Sequence, residues 1–178
     1  MEEEGEEVVV VVEVQVKKGI SLSHINRLIY YSSKDDLVLR FTQDKKRYKD
    51  LKTFKKDKHK RFYYSLVGKN QELAGIIWFI KKPIPNKKFI VAFDSKNYGI
   101  TFALRVYGKF RGKGLSYPFL KEAIKRYKKT KSFKENKANK FWVSTSFDNF
   151  AAISTYIKFG FEKISEKDSN EKIIMIHK

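Results

Sequence analysis

Apolar residues in this chain fall in short β-branched or aromatic runs, and four stretches switch from alternation to helical spacing. Residues 8–16, Val-Val-Val-Val-Val-Glu-Val-Gln-Val, predict a strand. Ser21 or Ser23 can cap a short helix reaching about Tyr31. Over residues 44–60, Tyr48, Leu51 and Phe54 recur at helical spacing amid lysines, which predicts one amphipathic helix with a wide solvated face. Residues 61–67 and 73–80 are apolar runs joined by Gly68-Lys69-Asn70-Gln71, a hairpin signal. A loop with Pro83 and Pro85 covers residues 81–88, and residues 89–93 and 99–107 predict two further strands.

A helix over residues 115–128 buries a stripe of Leu115, Phe119, Ala123, Ile124 and Tyr127. Its Pro118 sits in the first turn, where a missing N–H costs little. Residues 129–140 read as a polar, Lys-rich loop, and residues 141–145 as a strand. Residues 149–159 form a helix that Gly160 ends, and residues 161–164 and 173–176 are closing strands. There is no internal repeat. The pattern predicts an α/β (α+β) domain with a mixed, largely antiparallel sheet flanked by helices. A length of 178 residues suits one domain with one sizeable core.

Composition narrows the function. The 42% hydrophobic and 15% aromatic content supports a folded core rather than disorder. Without cysteine, a disulfide framework, a thiolate metal site and a Cys nucleophile are excluded. His24, His59 and His177 are far apart and form no metal-binding pair, so no metal is expected. No run of 18 apolar residues is present, and the start is acidic (Glu2, Glu3, Glu4, Glu6, Glu7), the opposite of a signal peptide. A cytoplasmic setting and no membrane contact are the expectation. The net charge of +19 favours anionic partners, but a Lys-, Asn- and Ile-rich composition also arises from an AT-rich genome.

The informative unit is a strand, then Arg111-Gly112-Lys113-Gly114-Leu115-Ser116, then a helix. Glycines at such a turn let backbone approach a ligand, and the N–H groups of turn and helix start form a nest for an anion. The anion best matched is a pyrophosphate. A P-loop fails, because only three residues separate Gly108 from Gly112 and Gly114 follows Lys113. A dinucleotide fingerprint fails because position 117 is Tyr. Arg111-x-x-Gly114-x-Ser116 matches [Gln/Arg]-x-x-Gly-x-[Gly/Ala] at all but the last position, where Ser is still small. Downstream, strand residues 141–145 lead to Asn149-x-x-Ala152-x-x-x-Tyr156-x-x-x-Gly160-Phe161.

These two segments resemble the acetyl-CoA-binding and downstream motifs of the GNAT N-acetyltransferases, over roughly residues 100–165. The resemblance implies direct acetyl transfer from acetyl-CoA, as co-substrate, to an amine acceptor. The N–H groups of Arg111, Gly112, Lys113, Gly114, Leu115 and Ser116 would hold the CoA pyrophosphate. The strand edge at Arg105 and Val106 would pair with the pantetheine arm and offer N–H groups to the thioester carbonyl. Asn149 would bond the pantetheine region, and Tyr156 would protonate the departing thiolate as general acid.

Many members of the family use a Glu as base; at the position five before Asn149, often Glu in protein N-terminal acetyltransferases, this chain has Ser144. Asp94 and Asp148 are the nearest acids in sequence, so the base is unassigned and a water chain is acceptable. The acceptor stays open among a protein or peptide, an aminoacyl-tRNA as in toxin-like members, and a small molecule. The Lys-rich segments 45–61 and 121–140 could meet an anionic partner or be solvated surface. A catalytically inactive module of this fold, binding nucleic acid or an acidic partner, is the rival reading.

Overall fold

The structure is a computed structural model that describes residues 13–85 and 88–178. One seven-stranded sheet organises it: β1 (Val14–Lys18), β2 (Phe62–Gly68), β3 (Leu73–Lys81), β4 (Ile100–Val106), β5 (Phe141–Ser146), β6 (Phe161–Lys163) and β7 (Lys172–His177). The spatial order is β1-β2-β3-β4-β5-β7-β6. Every neighbouring pair is antiparallel except β4 and β5. The mixed, largely antiparallel sheet flanked by helices is therefore present as expected. Residues 8–12 of the first predicted strand lie outside the described residues.

Alternation along β3 shows why the sheet carries helices on both faces. Ile77 and Phe79 join a core with α5 (Ser116–Lys128) and α7 (Phe150–Phe159), including Phe119, Leu120, Tyr127 and Tyr156. Ile76 and Trp78 point the other way, toward α1 (Leu22–Lys34) and the short helices after it, among Leu28, Val38, Tyr48 and Phe54. A central strand buried on both faces reads as a continuous apolar run, as this one does. A third, smaller cluster of Tyr98, Trp142, Ile164, Ile174 and Ile176 closes the far end of the sheet.

Local capping corrects several expectations. The single helix expected over residues 44–60 is two, α3 (Asp44–Arg47) and α4 (Leu51–Lys58). Asp50 interrupts it, because its carboxylate accepts the Thr53 N–H at 2.7 Å and starts a new helix. Before them lies an unanticipated helix, α2 (Asp36–Phe41), begun the same way by Asp35, whose side chain accepts the Val38 N–H at 3.1 Å. The loop expected over residues 129–140 contains α6 (Lys131–Lys134), capped by the Thr130 hydroxyl. The strand expected over residues 89–93 is reduced to a single bridge, Phe89 to Ser165. The segment it faces, residues 164–165, lies just past the three-residue β6 and forms no strand of its own, and Phe89 and Phe93 instead pack their rings on the third cluster.

Candidate active site

The one parallel pair in the sheet is also its weakest join. β4 and β5 are in register only at Ile100 with Phe141 and Thr101 with Trp142. Beyond those residues β4 continues beside β3 to Val106, and β5 continues beside β7 to Ser146, so the two strands part. Parallel strands paired over so short a length hold each other weakly. The opening receives the N-terminal ends of α5 and α7 and is lined from the side by α2.

The register decides which backbone groups of β4 face this opening. Tyr107 donates its N–H to the Ala74 carbonyl and Lys82 donates to Gly99, so odd-numbered positions between them bond to β3. Leu104 and Val106 are therefore turned toward the opening. Arg105, expected to offer backbone there, has its N–H committed to the β3 side. Its side chain instead lies at the opening: Nε donates to Asp44 Oδ2 at 3.0 Å and Nη1 to the Leu104 carbonyl at 2.9 Å. Burial pushes the Arg105 pKa down, but Asp44, Tyr107 and Tyr156 together raise it above its ordinary value. Asp44 is 1% exposed and also holds Arg47.

At the end of β4 the chain makes a tight turn and enters α5. Gly112 and Gly114 have φ of +71° and +69°, the left-handed region that glycine adopts without strain. A Cβ at either would meet nothing within 4 Å, so both turn a bare backbone face to open space. The Arg111 N–H is donated to the Gly108 carbonyl at 3.1 Å, whereas the N–H groups from Gly112 to Ser116 donate to no backbone carbonyl among the described residues. The Arg111 guanidinium is also engaged: Nη2 donates to Asp35 at 2.6 Å and Nε to the Val106 carbonyl at 2.8 Å. It ties the start of α2 to the end of β4 and does not extend toward a ligand. Lys113 is exposed and is not among the residues lining the cavity.

A cavity of about 480 Å³ runs along this opening. It brings together Arg105, Val106, Arg111, Gly112, Gly114, Leu115, Ser116, Asn149 and Tyr156. It also takes in Leu37, Val38, Phe41 and Thr42 of α2, which the sequence reading missed. The available signal was the Asp35-Asp36 pair before an apolar run, a helix-start pattern. Asn149 caps α7, its Oδ1 accepting the Ala152 N–H at 3.3 Å, so the amide NH₂ remains to meet a ligand.

Tyr156 lies about two α7 turns beyond Asn149, 5% exposed, with its ring edge-on to Phe102 at 5.7 Å. Burial raises its pKa, and the nearby Arg105 opposes that in part. Among the described residues no protein group hydrogen-bonds its hydroxyl. A second cavity of about 280 Å³ adjoins the first, sharing with it residues that include Phe41, Leu104, Arg105, Asn149, Ala152 and Tyr156. Ser144 lines this second cavity. Asp148 lines the first and pairs with Arg40 at 2.9 Å, whereas Asp94 caps a turn far from both.

The chain matches the acetyltransferase (GNAT) family over residues 26–161, and it belongs to that family. No curated protein sequence matches it. Solved structures of the same fold include a domain from Methanocaldococcus jannaschii at 13% identity and TM-score 0.66, covering 93% of this chain and 98% of that one. Another is the spermidine N-acetyltransferase of Vibrio cholerae in complex with CoA and spermine, at 12% identity and TM-score 0.64, covering 92% of each chain. A third is the ribosomal-protein-S5-alanine acetyltransferase of Vibrio fischeri, at 16% identity and TM-score 0.60, covering 93% of this chain and 94% of that one. Among the described residues no helix is long and apolar enough to cross a membrane.

Proposed function

We propose that this protein transfers an acetyl group from acetyl-CoA directly to an amine, with the β4–β5 opening as the site of transfer. The observation that supports it most is that one cavity joins the bare Gly112–Gly114 turn to the buried Tyr156 hydroxyl. The residues present fit acetyl-CoA. The turn and first α5 N–H groups suit a pyrophosphate, and the backbone of Leu104 and Val106 suits an amide-bearing arm laid along β4. Asn149 would bond that arm through its amide. The bound co-substrate supplies an activated thioester. Tyr156 donates its phenolic proton to the sulfur as the C–S bond breaks and recovers one from solvent. The acceptor nitrogen forms the new C–N bond and releases its proton to water, with Ser144 beside that path.

The reading treats the chain as one acetyltransferase domain, because one sheet joins the first described strand to the last. It predicts that CoA or acetyl-CoA stabilises the fold. Ligand at about 100 times its dissociation constant should add about 2.7 kcal/mol, visible as a clear rise in melting temperature. No rise at millimolar ligand sinks the reading. Thiol release in the presence of an amine panel then tests transfer itself, and binding without any release would favour the inactive module.

The pH profile carries a further expectation. No carboxylate lines the second cavity, but Arg47, Lys82, Arg105 and Lys172 do. Nearby cations disfavour an ammonium, so a bound amine loses its proton more easily than in water. kcat, which reports ionisations in the enzyme–substrate complex, should rise with pH to a midpoint below the amine's solution pKa. Because burial raises the Tyr156 pKa, a falling limb should appear only above the ordinary tyrosine value of about 10. A midpoint at or above the solution pKa of the amine contradicts the cationic environment.

A further inference from the structure

The second cavity has a chemical bias that the family fold does not dictate. Its wall carries Arg47, Lys82, Arg105 and Lys172 and no acidic side chain. One carboxylate, Asp44, serves both Arg105 at 3.0 Å and Arg47 at 2.5 Å, and it is buried beneath them. Among the described residues, neither the Lys82 nor the Lys172 ammonium has a carboxylate partner. Lys82 follows β3 level with Gly99, where β4 and β5 are still paired, and Lys172 opens β7 opposite Ser146, past the point where they part, so the two line opposite ends of the cavity. Trp78 adds an indole N–H, a donor only, that finds no acceptor. Uncompensated cations around a small cavity form a focused positive field.

We infer that the acceptor is an amine carrying its own negative charge, a carboxylate or a phosphate, close to the reacting nitrogen. This rests on the proposed acetyl transfer and names its substrate class. In such an acceptor the anionic group is held by Lys82 or by Lys172, at one end or the other of the cavity, while the amine reaches past Tyr156 toward the first cavity. The same wall repels polyamines, whose several positive charges would meet like charges on every side. It also discriminates against neutral amines, which leave both lysines without a partner. The anion further offsets the charge that the acceptor brings in before it loses its proton.

The test compares kcat/KM for four probes: glutamate as carboxylate-bearing amine, O-phosphoethanolamine as phosphate-bearing amine, benzylamine as neutral amine and spermidine as polycation. At least one anionic probe should exceed both others by about tenfold or more, and which one wins identifies the anion. Its KM should rise several-fold when ionic strength goes from about 0.05 M to about 0.5 M. The double variant Lys82→Glu with Lys172→Glu should lose about tenfold or more on the anionic probe and gain on spermidine. Its affinity for CoA should be unchanged, because neither residue lines the first cavity. Lys82→Gln with Lys172→Gln serves if charge reversal impairs folding, with loss on the anion and no gain on spermidine. Turnover of spermidine or benzylamine at or above both anionic probes overturns the inference, as does no turnover of either anionic probe. In both cases CoA binding shows separately whether acetyl transfer itself still stands.

Discussion

Replacing Tyr156 by Phe should lower kcat by about 10²–10⁴-fold, the usual contribution of a positioned general acid. The ring keeps its edge contact with Phe102 at 5.7 Å and its tilted contact with Phe161 at 5.8 Å, so the packing of α7 against the sheet is retained. The hydroxyl makes no hydrogen bond to another described residue, so no internal partner is orphaned by its removal. Stability and CoA affinity should therefore change little. Single-turnover kinetics, a melting curve and a CoA titration on the same preparation separate these effects. A fall in kcat below about threefold, with chemistry rate-limiting, would assign Tyr156 to the core alone.

Replacing Gly114 by Val should weaken CoA binding by at least about 100-fold, equivalent to losing two charge-assisted hydrogen bonds at the turn. The added side chain meets no protein atom within 4 Å, so it projects into the space a ligand would fill. Its φ of +69° also strains any L-residue by roughly 1–2 kcal/mol. Gly108→Ala provides the control. Gly108 has a positive φ too, +44°, and open space around it, but it does not line the cavity. It should lose some stability and keep its affinity for CoA. Equal affinity in Gly114→Val and the unaltered protein would remove the pyrophosphate from this turn.

Most of the strand and helix order was legible in the sequence because it rests on local signals. Apolar runs marked β2 and β3, Gly68-Lys69-Asn70-Gln71 marked their hairpin, and Gly160, at φ +103°, ended α7 as its position suggested. Errors fell where a single capping side chain decides between one helix and two, as at Asp50, or where a strand needs a long enough partner, as at Phe89. The Gly112–Gly114 turn and the Asn149-to-Phe161 segment were equally visible, since residue spacing alone defines them.

The sequence by itself determined where the glycine turn between β4 and α5 falls and which helix carries Asn149 and Tyr156, because turn conformations and helical spacing are local properties. Only the tertiary structure decided that β4 and β5 part after two residue pairs and that the backbone groups of Leu104 and Val106 face the gap while those of Arg105 turn to β3. It also committed the Arg111 guanidinium to Asp35 and Arg105 to Asp44, partners 76 and 61 residues away. It gathered Arg47, Lys82 and Lys172, from three separate stretches of a uniformly basic chain, around one cavity. Register and long-range charge pairing depend on which segments meet in space, and no local spacing encodes that meeting.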